Sequence, residues 1–457
     1  MNRSGVFLLL SVLAFPLQAA NNAGEVGYMS GSLMAKHSDG KINVMTSGSS
    51  IMEGDQLVTS SNGYAQVKLK DGTEMNMRPN SELKIEVYQF RKESPRDDNA
   101  IFRLIKGGFR TITGLIGKRG NPGAYKLRAA AATLGIRGTD FTTRICEDKE
   151  CKEGSVTLRA KHEIPVPRVV GRVMLLQGEL AAKDTSEKIR KMVLGSPVHE
   201  GDVLHSDPKS YAVIAFRDES RITLQEKSSF YVERFKYDKA NPSQDGAVLR
   251  LLKGGVRVVT GLIGRVKHEN FKFGVSGATI GIRGTGFDAW CYGACATGNG
   301  DPGATQDKPL DGGGVYVWSG AVVLTTPKGS YDVSVQQAAI IARDNGKPEP
   351  VVNIPQAIIE NDAPRPDGIP VDMNQEFNTE SSTGEAGLYV KVHEGLVVLT
   401  NAGKSLNLGG GENGFANERD LTRLSNTPWF MTENPDNESL EKISPNPSIN
   451  TDGCVVR

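Results

Sequence analysis

Four cysteines carry the clearest chemistry in the chain, because they come as two close pairs, Cys146 with Cys151 and Cys291 with Cys295. Thiols so placed form disulfides in an oxidising compartment, or a four-thiolate zinc site if the two pairs are brought together. The zinc reading needs both pairs to meet in one geometry, whereas the disulfide reading needs only export. Closing so small a loop gives about 2 kcal/mol in the chain-entropy model, so each bridge would pin a local turn. Cys454 is left over, free or available to another chain.

The other reactive residue types form no recognisable set. Carboxylates recur as Glu53 and Glu200, Asp55 and Asp202, Asp71 and Asp218, and Glu86 and Glu233. Most stand beside turn glycines, where acidic side chains serve backbone geometry. The six histidines, His37, His162, His199, His205, His268 and His393, are scattered. The run Ala402-Gly403-Lys404-Ser405 resembles the end of a phosphate-binding loop, but Val398 stands where that loop needs glycine, and no helix pattern follows. Asp301, Asp307 and Asp311 supply oxygens for calcium, yet their spacing fits no known loop, and the segment reads as a solvated insertion. HExxH and GxSxG motifs are absent. No catalytic residue, cofactor or metal ligand is assigned, and the chain is not expected to be an enzyme.

The N-terminus supplies the export that the disulfides need. Arg3 precedes an apolar run from Val6 to Phe15, followed by Pro16, Ala19 and Ala20, the pattern of a secretory signal over residues 1–20. That run is well short of the ~20 residues needed to span a bilayer, and no cysteine follows it for lipid attachment. No later stretch is apolar for long enough, so stable membrane insertion is not expected. A net charge of +1 gives no basic footprint for nucleic acid.

Internal repetition organises the rest. Glu53-Gly54-Asp55 recurs 147 residues later as Glu200-Gly201-Asp202, Lys106-Gly107-Gly108 as Lys253-Gly254-Gly255, and Thr113 to Gly117 as Thr260 to Gly264. Between Gly24 and Gly117 the match to the second copy is ungapped, with about a third of the positions identical. After a one-residue slip, Gly135-Ile136-Arg137-Gly138-Thr139 matches Gly281-Ile282-Arg283-Gly284-Thr285. Each copy alternates with period two, as Ala65, Val67 and Leu69 do before Asp71-Gly72, and as Ala212, Ile214 and Phe216 do before Asp218-Glu219. Because Glu219 replaces the turn glycine, the second hairpin turn is expected to be looser or of another type.

The order GxV, EGDxL, an alternating strand, DGT, a serine, KGG(F/V)R and GIRGT(D/G)F resembles the FecR domain, the periplasmic domain named after the regulator of ferric citrate uptake. The resemblance implies an all-β fold of two tandem repeats of stacked short strands, β-helix-like or sandwich-like. In that regulator class it also implies a cytoplasmic anti-sigma segment and one membrane span. Here a cleavable signal stands in their place, so direct control of a sigma factor is not expected. The predicted boundaries are residues 24–160 and 168–344 for the two repeats, 345–384 for a proline-containing linker, 385–424 for a C-terminal strand pair and 425–457 for a polar tail. Both motif arginines, Arg137 and Arg283, are expected to be buried and held by carboxylates or carbonyls. The function expected is that of a protein-interaction or signal-sensing module with an envelope protein partner, in the periplasm of a Gram-negative cell or secreted. A polysaccharide- or peptidoglycan-binding module is the alternative, weakened by only three tryptophans.

Overall fold

The computed structural model describes residues 21–119, 123–129, 132–147, 151, 164–165, 168–275, 277–282, 284–295, 312–341, 346–354, 361–382 and 384–432. The N-terminal apolar run, His162, Arg283, Asp301, Asp307, Asp311 and Cys454 lie outside the described residues. Strands dominate, and the helices are short: Leu115–Lys118, Leu262–Val266, Met373–Phe377 and Trp429–Thr432.

Period-two alternation gives each strand one apolar face, and that face must lie against a second layer. In the second repeat one layer runs Pro197–His199, Val169–Gln177, Tyr211–Phe216, Arg221–Leu224, the end of Gly246–Val259, Gly286–Tyr292, Gly312–Ser319, Ala338–Ile341 and Glu349–Val351. The other runs Ile189–Met192, Leu180–Lys183, Val203–Ser206, Ser229–Lys236, the start of Gly246–Val259, Phe271–Val275, Ala278–Ile282, Ala321–Thr326 and Gly329–Ser334. Phe216, Phe230, Phe273 and Phe287 fill the space between them. The first repeat follows the same order from Asn22–Ser30 through the long strand Ala132–Cys146.

That long strand serves both layers of the first unit. Its first half pairs with Tyr125–Ala129 and its second half with Gly108–Ile112. The change of layer falls at Gly138, in left-handed backbone at φ 56°, opposite Gly395 at φ 85°. A Cβ on Gly395 would lie 2.2 Å from the Gly138 carbonyl oxygen, so only glycine fits there. The GIRGT motif is thus the corner of the fold.

The strands that close the first unit come from the far end of the chain. Gly387–Asn401 runs antiparallel to the whole length of Ala132–Cys146, and Lys404–Gly409, Asn413–Ala416 and Leu421–Leu424 complete the two layers. In the second unit the same places are taken by residues 312–351, which follow directly in sequence. The second unit is therefore inserted within the first. The 385–424 segment is an integral part of the first sheet system and not a separate strand pair. The chain beyond it also starts out ordered: Asn426–Thr427 pairs with Ile164–Pro165, and Phe430 and Met431 are buried.

Two further expectations are corrected. The turn at Glu219 is the same as that at Gly72, because Glu219 adopts φ 68° against 85° for the glycine, and each donates its N–H to the residue three before it. Neighbouring bonds hold it there: Asp218 accepts from the Ser220 N–H, and its carbonyl accepts from Leu262. The proline-containing 345–384 stretch is no bare linker: Glu349–Val351 adds an edge strand to the second unit, and the residues from 361 onward form a strap across its outer face. The strap's carbonyls take bonds from side chains of the second unit. Arg257 donates to Ala363, Thr223 to Pro364 (2.8 Å) and Arg221 to Ile369 (2.6 Å), while the Arg365 guanidinium lies 3.7 Å over Trp318.

Candidate functional site

The recurrent polar residues bind backbone in both copies. Asp55 accepts the Met52 N–H at 2.8 Å, and Asp202 accepts that of His199 at 2.7 Å. Glu53 and Glu200 accept the N–H groups of Tyr88 and Phe235. Ser81 and Ser228 each accept from, and donate to, the backbone of Gly108 and Gly255. Thr113 and Thr260 bracket Thr139 and Thr285 in the same two-way manner. Gly54 and Gly201 donate their N–H groups to Ile85 and Val232. Glu86 and Glu233 lie on the outer surface, facing Arg103 and Arg250. Such carboxylates and hydroxyls, already bonded to main chain, are poor general acids or nucleophiles.

Arg137 is a correction. It is half-buried, with no side-chain bond to another described residue, because strand alternation directs Ile136 into the core and Arg137 outward. The histidines stay apart: His37 pairs with Asp55 at 2.7 Å, His205 faces Ser229, His268 faces the Gly264 carbonyl and His393 faces Thr142. In the second copy Asp202 pairs instead with Arg190, which stands where the first copy has Asn43. The Ala402-Gly403 pair forms a hairpin turn, with φ 45° and 79°, between strands.

Cys146 is bonded to Cys151 and Cys291 to Cys295, with Cα separations of 5.9 and 5.1 Å. Each pair is closed within its own unit, so the shared four-thiolate zinc site is not formed. Around the first bridge pack Tyr389, Phe415 and Phe430, with the Tyr389 and Phe430 ring centroids 4.8 Å apart.

Sequence reasoning missed the charged centre at the junction of the two units. Arg172, fully buried on the first strand of the second unit, pairs with Glu412 at 2.8 Å and with Glu376 of the strap at 3.2 Å. Arg423 reaches Glu412 at 2.8 Å. Burial works against the Glu412 charge, but Arg172 and Arg423 outweigh it and hold its pKa down to about 2. Arg172 lies more than 200 residues before both of its carboxylate partners, so no local pattern announces the centre. Beside this centre, Asn374, Gln375, Asn378, Lys404, Ser405 and Thr422 line a polar groove of about 490 Å³. No aromatic ring lines it. The tryptophans are otherwise engaged: Trp290 is buried, Trp318 lies under Arg365 and bonds Asp288 at 3.1 Å, and Trp429 packs on Phe430. Burial raises Asp288 to about 6 despite Arg257 and Trp318.

The copies also differ at two corresponding edge strands, Ile42–Val44 and Ile189–Met192. In the first unit the edge strand Ile42–Val44 pairs, among the described residues, with Leu33–Lys36 alone, leaving Ile42 63 % and Val44 73 % exposed beside Met34. At the matching edge of the second unit, Ile189–Met192, Lys191 replaces Val44 and pairs with Glu179, and Ala181 replaces Met34.

The model of the family described as FecR protein matches residues 55–158 and 202–301. No curated protein matches the chain. Among solved structures, one described as a cell surface anchoring domain is 24 % identical, over 14 % of this chain and 82 % of its own, with a TM-score of 0.13. Two structures of candidate anti-sigma factors from Parabacteroides distasonis are 14 % and 10 % identical, over 34 % and 45 % of this chain and 62 % and 98 % of theirs, with TM-scores of 0.26 and 0.24. Among the described residues no helix is long and apolar enough to cross a membrane.

Proposed function

Taking the chain as a tandem FecR-domain protein, we propose that it is a non-enzymatic interaction or signal-sensing module of the cell envelope, periplasmic or secreted, that binds an envelope protein. The observation that carries this reading is the edge at Ile42–Val44, where apolar side chains and an unextended sheet face solvent together. Two disulfides support an oxidising compartment. The glycan-binding alternative needs aromatic platforms, and the engaged tryptophans count against it. Photo-cross-linking residues introduced at exposed positions on both units, in cells, should capture one envelope protein reproducibly. Glycan-array binding with no protein adduct from any position would replace this reading by the alternative.

A further inference from the structure

We propose that the Ile42–Val44 edge takes an extended strand of a partner protein, apolar opposite Val44 and acidic two residues away, near Lys36. The proposal rests on the interaction-module reading and specifies its surface.

Bond alternation defines what the edge offers. Met45 donates to the Leu33 carbonyl and His37 to the Lys41 carbonyl. In antiparallel order this directs the backbone groups of Asn43 to the neighbouring strand and those of Ile42 and Val44 away from the sheet. An added strand would bond to those outward groups, and register then fixes which side chains meet. On the outer face Val44 stands beside Met34 and then Val58, whereas Ile42 stands beside Lys36, Gln56 and Lys84. Lys36 and Lys84 have no carboxylate partner among the described residues, whereas Lys183, at the place of Lys36 in the second unit, pairs with Glu187. One position of the incoming strand is therefore apolar and the next on the same face anionic.

The second unit acts as a built-in control. It keeps the fold with Ala181, Lys191 and His205 where the first has Met34, Val44 and Val58, so folding does not require the apolar set. A second copy is the poorer occupant. Two three-residue edges laid together bury on the order of a few hundred Å², against roughly 1,200 Å² or more in a specific interface.

The probe is a capped heptapeptide, Thr-Val-Thr-Val-Thr-Glu-Thr, titrated into the oxidised mature protein up to its solubility limit. Binding should slow amide hydrogen exchange at Ile42 and Val44, and weaken at least fivefold when the peptide Glu becomes Lys. The variant V44K/M34A, which copies the second unit, should bind at least tenfold less while keeping its melting temperature within a few degrees. No protection at Ile42 and Val44, or equal binding by that variant, overturns the proposal. So does self-association that the variant abolishes, because the occupant is then a second copy. If the edge fails but cross-linking elsewhere still captures an envelope protein, the interaction-module reading stands alone.

Discussion

Glu412 and Asp288 are both buried carboxylates, and they respond to pH with opposite sign. Glu412 is held at about 2, below its usual 4.5, so the folded state favours its charge. Its contribution is complete above pH 4.5 and is lost as pH falls towards 2. Asp288 is raised from 3.8 to about 6, so the folded state favours its proton, and stability declines as pH rises from 3.8 to 6. Replacing Asp288 by Asn should raise stability at pH 8 by about 1–3 kcal/mol and remove that decline, as chemical denaturation at several pH values would register. Glu412→Gln should lower stability by roughly 3–5 kcal/mol at neutral pH, because it leaves Arg172 and Arg423 buried without their shared counter-ion. A loss below 1 kcal/mol would mean that water reaches the junction. Neither carboxylate shows in the sequence. Glu412 stands in a glycine-rich turn like many exposed acids, and what separates it from them is a cation from another unit.

At the level of elements, the sequence announced what is local and hid what is distant. Alternation and turn chemistry mark hairpins such as Tyr64–Leu69 with Glu74–Met77, because they depend on neighbours a few residues away, and the repeat implies that the two copies share them. The owner of Gly387–Asn401 was not readable, since its partner Ala132–Cys146 lies some 250 residues earlier and any apolar edge strand would satisfy the same pattern. The strap is hidden for a related reason: the guanidinium groups that satisfy its carbonyls lie elsewhere in the chain. Arg137 misled because its flanking glycines suggested close packing, whereas the strand's period set its direction. Two outcomes test this account. Deleting residues 385–432 should unfold the first unit, seen as loss of exchange protection at Leu134, Ile136 and Phe141, while the second unit, which closes itself, keeps its own. Glu219→Gly should stabilise by about 1 kcal/mol, by relieving left-handed backbone in a residue with a Cβ. A destabilised glycine variant would show that Glu219 makes a compensating contact.

For the molecule as a whole, the junction joins unlike surfaces. The leading end of the second unit, with Arg172, Gly195 and Pro197, sits on the trailing end of the first, with Asn407, Gly409 and Glu412. Among the described residues the leading end of the first unit and the trailing end of the second have no such partner. Repeated between molecules, a head-to-tail contact of this kind does not close on itself and generates an open fibre. Strand register shows that the outer ends lack the matching residues: Glu25 occupies the place of Arg172, and Gln337 and Asp332 occupy those of Glu412 and Asn407. The cation that neutralises the internal junction is thus missing from the outer one, and an acid faces it instead. Glu25→Arg combined with Gln337→Glu should restore the match and produce concentration-dependent end-to-end growth in sedimentation, which neither single substitution should give.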